Sequence, residues 1–357
     1  MRVLQLIDSL DAGGAERVAV TYANALVSQV ELSSLCTTRK EGLLKKDLGK
    51  EVSYLFLRKK HALDIFAIVR LVRFIQKKKI QILHAHATSY FTATIIKILL
   101  PRMILIWHDH YGNSEMLSER KFTILKWCAT TFNGVLCVNK DLENWALKNL
   151  KAKNVLFLKN PVTITNTTDK VFKLKGIEGK RIICLANIRP QKDHENLLKA
   201  FEWVIKKHPD YSLHLFGKNW GDRYYQNFEA FINRKELQGK VYYYGSQSNT
   251  HTLLTQASVG VLASYSEGLP LALLEYGLAG LGVVCTQVGQ CEEVVNGFGQ
   301  CVPPNNPEAF ANAILYYIEN DTKLKRDASL FQDHVQKNYS VSTIIPKLIT
   351  YYEQRSS

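Results

Sequence analysis

Short runs of β-branched and leucine residues, apolar on both faces, alternate along this chain with longer stretches whose apolar positions recur at helical spacing. The strand-like runs of the first half are Val3 to Ile7, Ile80 to His84, Met103 to Trp107, Val135 to Val138 and Val155 to Leu158. Those of the second half are Ile182 to Ala186, Ser212 to Phe216, Val241 to Tyr244, Val259 to Ala263 and Val283 to Cys285. A strand that is apolar on both faces has no wet side, so the alternation predicts parallel sheets covered by helices on two sides, an α/β fold. Pro161 pushes Asn160 out of helix, and the polar run Thr165-Asn-Thr-Thr-Asp169 reads as a linker. The chain is thereby divided into domains at 1–162 and 163–340. A last helical pattern, Val341 to Tyr352, lies beyond the final strand; it predicts a C-terminal helix over 341–357 that packs across the domain junction.

A length of 357 residues exceeds what one core usually serves, in keeping with two domains. At 46% hydrophobic and 22% charged residues the composition is that of a globular protein, and the apolar start meets Asp8 too early for a signal peptide. The seven cysteines are scattered with no C-x-x-C pair, which reads as reduced, buried thiols in the cytoplasm. The net charge of +14 is unevenly placed: residues 1–162 carry 25 Lys+Arg against 13 Asp+Glu, residues 163–357 carry 21 against 19. A one-sided positive field attracts phosphate-bearing partners, whether an anionic membrane, a lipid diphosphate or nucleic acid.

The strongest chemical signal is Ser264-Tyr-Ser-Glu-Gly-Leu-Pro-Leu-Ala-Leu-Leu-Glu275, directly after an apolar strand. Gly268 lets a ligand approach the backbone and Pro270 suits a helix start, so the run reads as a strand-to-helix turn whose free N–H groups form an anion site. Glu267 and Glu275 are suited to sugar and ribose hydroxyls in the crevice at the strand ends. Arg189 and Lys192 follow another strand, where fixed cations would stabilise a leaving diphosphate. Gly13 and Gly14 make a turn after the first strand, without the G-x-G-x-x-G spacing of a dinucleotide enzyme. No D-x-D triplet is present.

The Glu267 to Glu275 stretch resembles the E-x7-E signature of retaining GT-B glycosyltransferases, especially glycosyltransferase family 4. Gly13-Gly-Ala-Glu-Arg17 is similar to that family's first strand-to-helix loop, and Ala186-Asn-Ile-Arg-Pro-Gln-Lys192 to the opening of its second domain. The resemblance implies a GT-B fold, two Rossmann-like domains with parallel sheets facing across a cleft. It implies retaining, metal-independent transfer of a hexosyl or N-acetylhexosaminyl group from a nucleotide-diphosphate sugar, with no cofactor or metal. Glu267 would contact the donor sugar, Glu275 the ribose, and backbone at Gly268 and Leu269 the diphosphate. His108 matches the family's sugar-contacting histidine, with His110 as the alternative. Lys192 matches the diphosphate lysine; Arg189 is displaced by two residues from the usual arginine, so either it reaches in or Lys192 carries that charge. His84 and His86 line the acceptor cleft or serve structure. The family's proline after the second Glu is lost at Gly280-Leu-Gly282, and its double glycine becomes Gly289-Gln290.

A saccharide or polyprenyl-diphosphate-linked acceptor in surface polysaccharide assembly fits the basic N-terminal half. The segment Leu63 to Lys79 sets Phe66, Val69, Val72 and Ile75 at helical spacing beside Arg70, Arg73 and Lys77 to Lys79. Such a helix either lies on an anionic bilayer, making the protein peripheral on the inner face of the membrane, or covers its own sheet. A nucleotide-sugar epimerase of the same fold is an alternative. Nucleic-acid binding is disfavoured, since no binding motif accompanies the charge.

Overall fold

The computed structural model describes residues 1–112, 114–164, 172–247 and 250–356. They form two compact units, Met1–Val162 with Tyr339–Ser357, and Thr163–Asn338. The run Thr165 to Asp169 read as a linker lies outside the described residues.

The first unit is built on seven parallel strands: β1 (Arg2–Ser9), β2 (Leu32–Lys40), β3 (Ser53–Phe56), β4 (Ile82–His86), β5 (Ile104–Asp109), β6 (Gly134–Cys137) and β7 (Val155–Phe157). Their order is β3-β2-β1-β4-β5-β6-β7. The second unit holds six: β8 (Arg181–Leu185), β9 (Ser212–Phe216), β10 (Val241–Tyr243), β11 (Val259–Leu262), β12 (Gly282–Thr286) and β13 (Gln300–Val302), in the order β10-β9-β8-β11-β12-β13. All pairings between these strands are parallel. Central strands such as β9 and β12 are buried along their whole length, which is why they read as unbroken apolar runs. Each sheet is doubly wound, and its order reverses at one place, between β1 and β4 or between β8 and β11. Ligands of open α/β sheets bind outside the carboxyl ends of the strands at this switch point.

The helices used below are α1 (Gly14–Leu26), α2 (Ile65–Lys78) and α3 (Tyr90–Leu99). Gly13 caps α1 with ordinary extended backbone (φ −130°), and a Cβ there would meet only the movable carboxylate end of Glu16. Asp64 caps α2, accepting from the Ala67 N–H, and Ala67, Leu71 and Ile75 form the buried face.

The C-terminal helix (Val341–Ser356) belongs to the first unit. The chain re-enters that unit where the Val162 N–H donates to the Tyr339 carbonyl at 2.8 Å. Tyr351 Oη donates to the carbonyls of Val135 and Asn154, and Tyr352 Oη lies 2.6 Å from His84 Nδ1. This helix, expected from the sequence at the junction, thus packs on the first sheet. All seven cysteines are free and six are buried; Cys285 and Cys301, paired across β12 and β13, have sulfurs 3.5 Å apart.

Candidate active site

In the second unit the switch point lies between β8 and β11, and the chain leaving each strand carries the residues singled out in the sequence. After β11 the loop 263–270 leads into the helix Leu271–Leu278, with Pro270 as its N-cap. After β8 the loop 186–189 leads to a single turn, Pro190–Lys192. The two loops are tied together. Tyr265 N–H donates to the Gln191 carbonyl, and Gln191 Nε2 donates to the Ser266 carbonyl, both at 3.0 Å.

Glu267 is 5% exposed, and its Oε1 accepts from Lys192 Nζ at 2.5 Å and from Ser264 Oγ at 2.6 Å. Burying a carboxylate is costly without such partners, and the lysine supplies an opposite charge. Lysine has three ammonium protons, so Lys192 can keep Glu267 and still donate to a phosphate oxygen. Glu275 sits one turn into the helix and accepts from Thr250 Oγ1 at 3.0 Å. Gly268 and Leu269, within this loop, are buried. Arg189 is exposed, with its guanidinium stacked 4.1 Å from the Trp220 ring centroid. The second unit therefore joins Lys192 to Glu267 and leaves Arg189 on an aromatic platform.

The scaffold of this loop was not legible in the motif. Gly289 adopts φ +49°, and a Cβ there would lie 1.9 Å from the Glu267 carbonyl oxygen. The departure Gly289-Gln290 is thus a close backbone approach, secured by Gln290 N–H donating to the Gly268 carbonyl at 3.2 Å. Thr286 Oγ1 donates to the Ser264 carbonyl. Tyr276 Oη accepts from Leu185 N–H at 2.7 Å and donates to the Val261 carbonyl at 3.1 Å, bridging the ends of β8 and β11. Its ring takes the space where a side chain on Gly260 would stand. A glycine inside an apolar strand was the signal that could have found it.

The first unit presents a different surface at its carboxyl edge. His108, read from the sequence as ending the strand Met103 to Trp107, lies within β5, which runs on to Asp109 and pairs His108 with His86. His108 is consequently enclosed at 0% exposure; His110, just past the strand, is the partly exposed imidazole. His84, His86, His108 and His110 point to one side of the sheet and stack on one another with centroids 4.1–5.5 Å apart. Tyr22 of α1 lies against them, 6.0 Å from His108. Burial, more than mutual repulsion, holds the His86 and His108 imidazolium forms well below the usual range, and takes His84 to about 3.

Hydrogen bonds order this stack. Gln5 Oε1 accepts from His86 Nε2 at 2.8 Å, which leaves His86 Nδ1 to accept from His110 Nε2 at 3.0 Å. His110 then offers its Nδ1 as an acceptor at the rim. Ligand nitrogens of His84, His86 and His108 lie within 4.8 Å of one another, a spacing that could hold a metal ion. His86 spends both nitrogens on Gln5 and His110 and His84 Nδ1 faces Tyr352, while His84 Nε2 and both nitrogens of His108 are buried without a hydrogen-bond partner among the described residues. Next to it Asp109 pairs with Arg120 through both carboxylate oxygens, at 2.6 and 2.9 Å. Gly13 and Gly14 stand at the β1 end of the same edge.

Two doubly wound parallel sheets in one chain, the second ending in a lysine–carboxylate pair beside a helix start, define the chain as a two-domain α/β transferase of GT-B type. Two family profiles match it, "Glycosyl transferases group 1" over residues 166–329 and "Glycosyltransferase Family 4" over residues 12–165. The chain belongs to the GT-B glycosyltransferases of the group 1, family 4 type. An uncharacterized glycosyltransferase of Haemophilus influenzae is 24% identical over 326 residues, covering 84% of this chain and 89% of that protein. The Escherichia coli UDP-Gal:alpha-D-GlcNAc-diphosphoundecaprenol alpha-1,3-galactosyltransferase is 21% identical over 311 residues, 81% of this chain and 79% of its own. Among solved structures, Anabaena HepE in complex with UDP-glucose superposes with a TM-score of 0.80 at 17% identity, covering 99% of this chain and all of that one.

Proposed function

We propose that this glycosyltransferase moves a hexosyl or N-acetylhexosaminyl group, with retention and without a metal, from a nucleotide-diphosphate sugar to a lipid-linked or saccharide acceptor in polysaccharide assembly. The observation that carries the reading is the Lys192–Glu267 pair at the β8/β11 switch point. Lys192 and the N-terminus of the helix Leu271–Leu278 would hold the diphosphate, whose charge grows as its bond to the anomeric carbon breaks. Glu267 would then orient sugar hydroxyls and Glu275 the ribose. His110, with His108 behind it, would accept a hydrogen bond from the sugar. The UDP-glucose bound by HepE and the diphosphoundecaprenol substrate of the E. coli relative support the donor and acceptor classes.

A peripheral membrane position is part of the same proposal. No described helix is long and apolar enough to cross a membrane. On α2 the outward side carries Ile65 at 70% and Phe66 at 79% exposure, followed by Arg70 and Arg73. Apolar residues followed by cations suit an anionic bilayer surface, and high salt should release a protein held there by charge.

The test is a binding and turnover screen with UDP-, GDP- and ADP-sugars in EDTA, comparing the wild type with Glu275→Ala. Loss of a charge-assisted hydroxyl contact should weaken nucleotide binding by about 1.5–3 kcal/mol, or ten- to a hundredfold. Turnover that requires added divalent metal would overturn metal independence; equal binding by the variant would overturn the role of Glu275.

A further inference from the structure

At the carboxyl edge of the first sheet, past β3, Lys59 is a buried cation. It is only 6% exposed, held in place by its N–H donating to the Thr38 carbonyl at 2.7 Å. Its Nζ donates to Thr92 Oγ1 on α3, and no carboxylate lies within ion-pair distance among the described residues. The two acidic side chains whose charge it feels are already occupied. Asp8 accepts from Thr38 Oγ1 at 2.5 Å and from Thr88 Oγ1 at 2.6 Å; Asp64 accepts from the N–H groups of Lys60 and Ala67, each at 3.0 Å. A buried ammonium with donors to spare is costly to a fold unless it meets an anion. Arg39, Arg58 and Lys60, all exposed, add positive field at the same edge, and the next residues in the chain, Leu63, Ile65 and Phe66, are 63–79% exposed.

We propose that Lys59 is the anchor of an acceptor-side phosphate site: it binds the phosphate group of an acceptor whose apolar chain lies along Leu63, Ile65 and Phe66. The chemistry recognised is a phosphate or diphosphate ester on a lipid chain, with cations for the head and an unpartnered apolar surface for the tail. This inference rests on the glycosyltransferase reading and gives its acceptor a place on the first unit. Thr92 holds the ammonium and Thr88 stands near it on Asp8, so hydroxyls as well as cations border the site.

The full chain would be titrated with inorganic diphosphate and with geranyl diphosphate, in the presence of saturating UDP to occupy the donor site. Lys59→Met keeps the shape of the stem and removes the charge. It should weaken geranyl diphosphate at least tenfold, with partial rescue in Lys59→Arg, while acceptor-free hydrolysis of the sugar nucleotide stays at the wild-type rate. Because the substitution removes a buried charge, melting should not fall; a variant that melts lower yet binds as well as the wild type would make Lys59 structural and overturn the site. Phe66→Ser should reduce geranyl diphosphate binding and leave inorganic diphosphate unchanged. If both probes bind equally in the wild type, the ligand is a free phosphate and the lipid assignment falls. Absence of sugar-nucleotide hydrolysis in the wild type itself would count against the transferase reading, whatever the outcome at Lys59.

Discussion

The two sheets share one winding order, yet their carboxyl edges do opposite electrostatic work. The first stacks three buried imidazoles under a fourth at the rim, and burial disfavours their charged forms. The second buries a carboxylate that keeps a lysine beside it. Winding order decides where a ligand can sit; the few side chains at the strand ends decide whether that place favours charge or neutrality. No repeat in the sequence accompanies this repeat in topology, so the two edges have been free to take different chemistries.

The sharpest way to break the comparison is at the charged edge. Lys192→Ala should lower turnover by about a hundred- to a thousandfold, the usual cost of losing one preorganised group that stabilises developing charge. Steady-state rates at saturating donor would show it, and a loss under tenfold would make the Lys192–Glu267 pair structural. Acid should act on the neutral edge instead. In the unfolded chain the histidines take up protons near pH 6.5, whereas in the folded chain His84 and His110 do so only at about 3. Their depressed values therefore contribute stability that is complete above 6.5 and is lost as pH falls towards 3, at about 1.4 kcal/mol per pH unit for each group. Hydrogen-exchange protection of β4 and β5 should drop between pH 7.5 and 5.5; unchanged protection would show that the imidazoles are not kept neutral. Smallest is Arg189→Ala, which removes an exposed stacking contact on Trp220 of about 0.5–1 kcal/mol and should weaken donor binding less than tenfold. A loss matching that of Lys192→Ala would show that the displaced arginine does reach the diphosphate.

Ten of the thirteen described strands were legible as apolar runs, and the three that were not have physical reasons. β2 is LSSLCTTRK, in which Ser33, Ser34, Thr37 and Thr38 are buried although polar, so no apolar run announces it. β3 and β13 are edge strands of four and three residues, too short and too half-buried to show a period. His108 slipped inside its strand for a similar reason: His and Asp at a strand end look like a loop, and only pairing with β4 and β6 reveals that β5 continues. At the second edge, local motifs placed Lys192, Glu267 and Glu275 at strand and helix ends. Nothing local could encode Lys192 meeting Glu267 across 75 residues, or Gly289 pressing on the Glu267 backbone; the fold makes those contacts.

The first unit is discontinuous in sequence, and this sets an order of events when the protein is made. Gln5, His84 and the carbonyls of Val135 and Asn154 leave the ribosome before the second unit is made, but Tyr351 and Tyr352, which bond them, follow it. The second unit, contiguous from Thr163 to Asn338, can be complete while the first still lacks its covering helix. Against the usual N-terminal-first sequence of vectorial folding, the first of these two units is completed after the second. A stalled or truncated nascent chain would then carry a formed second unit tethered to an unsealed first unit whose buried imidazoles are open to water.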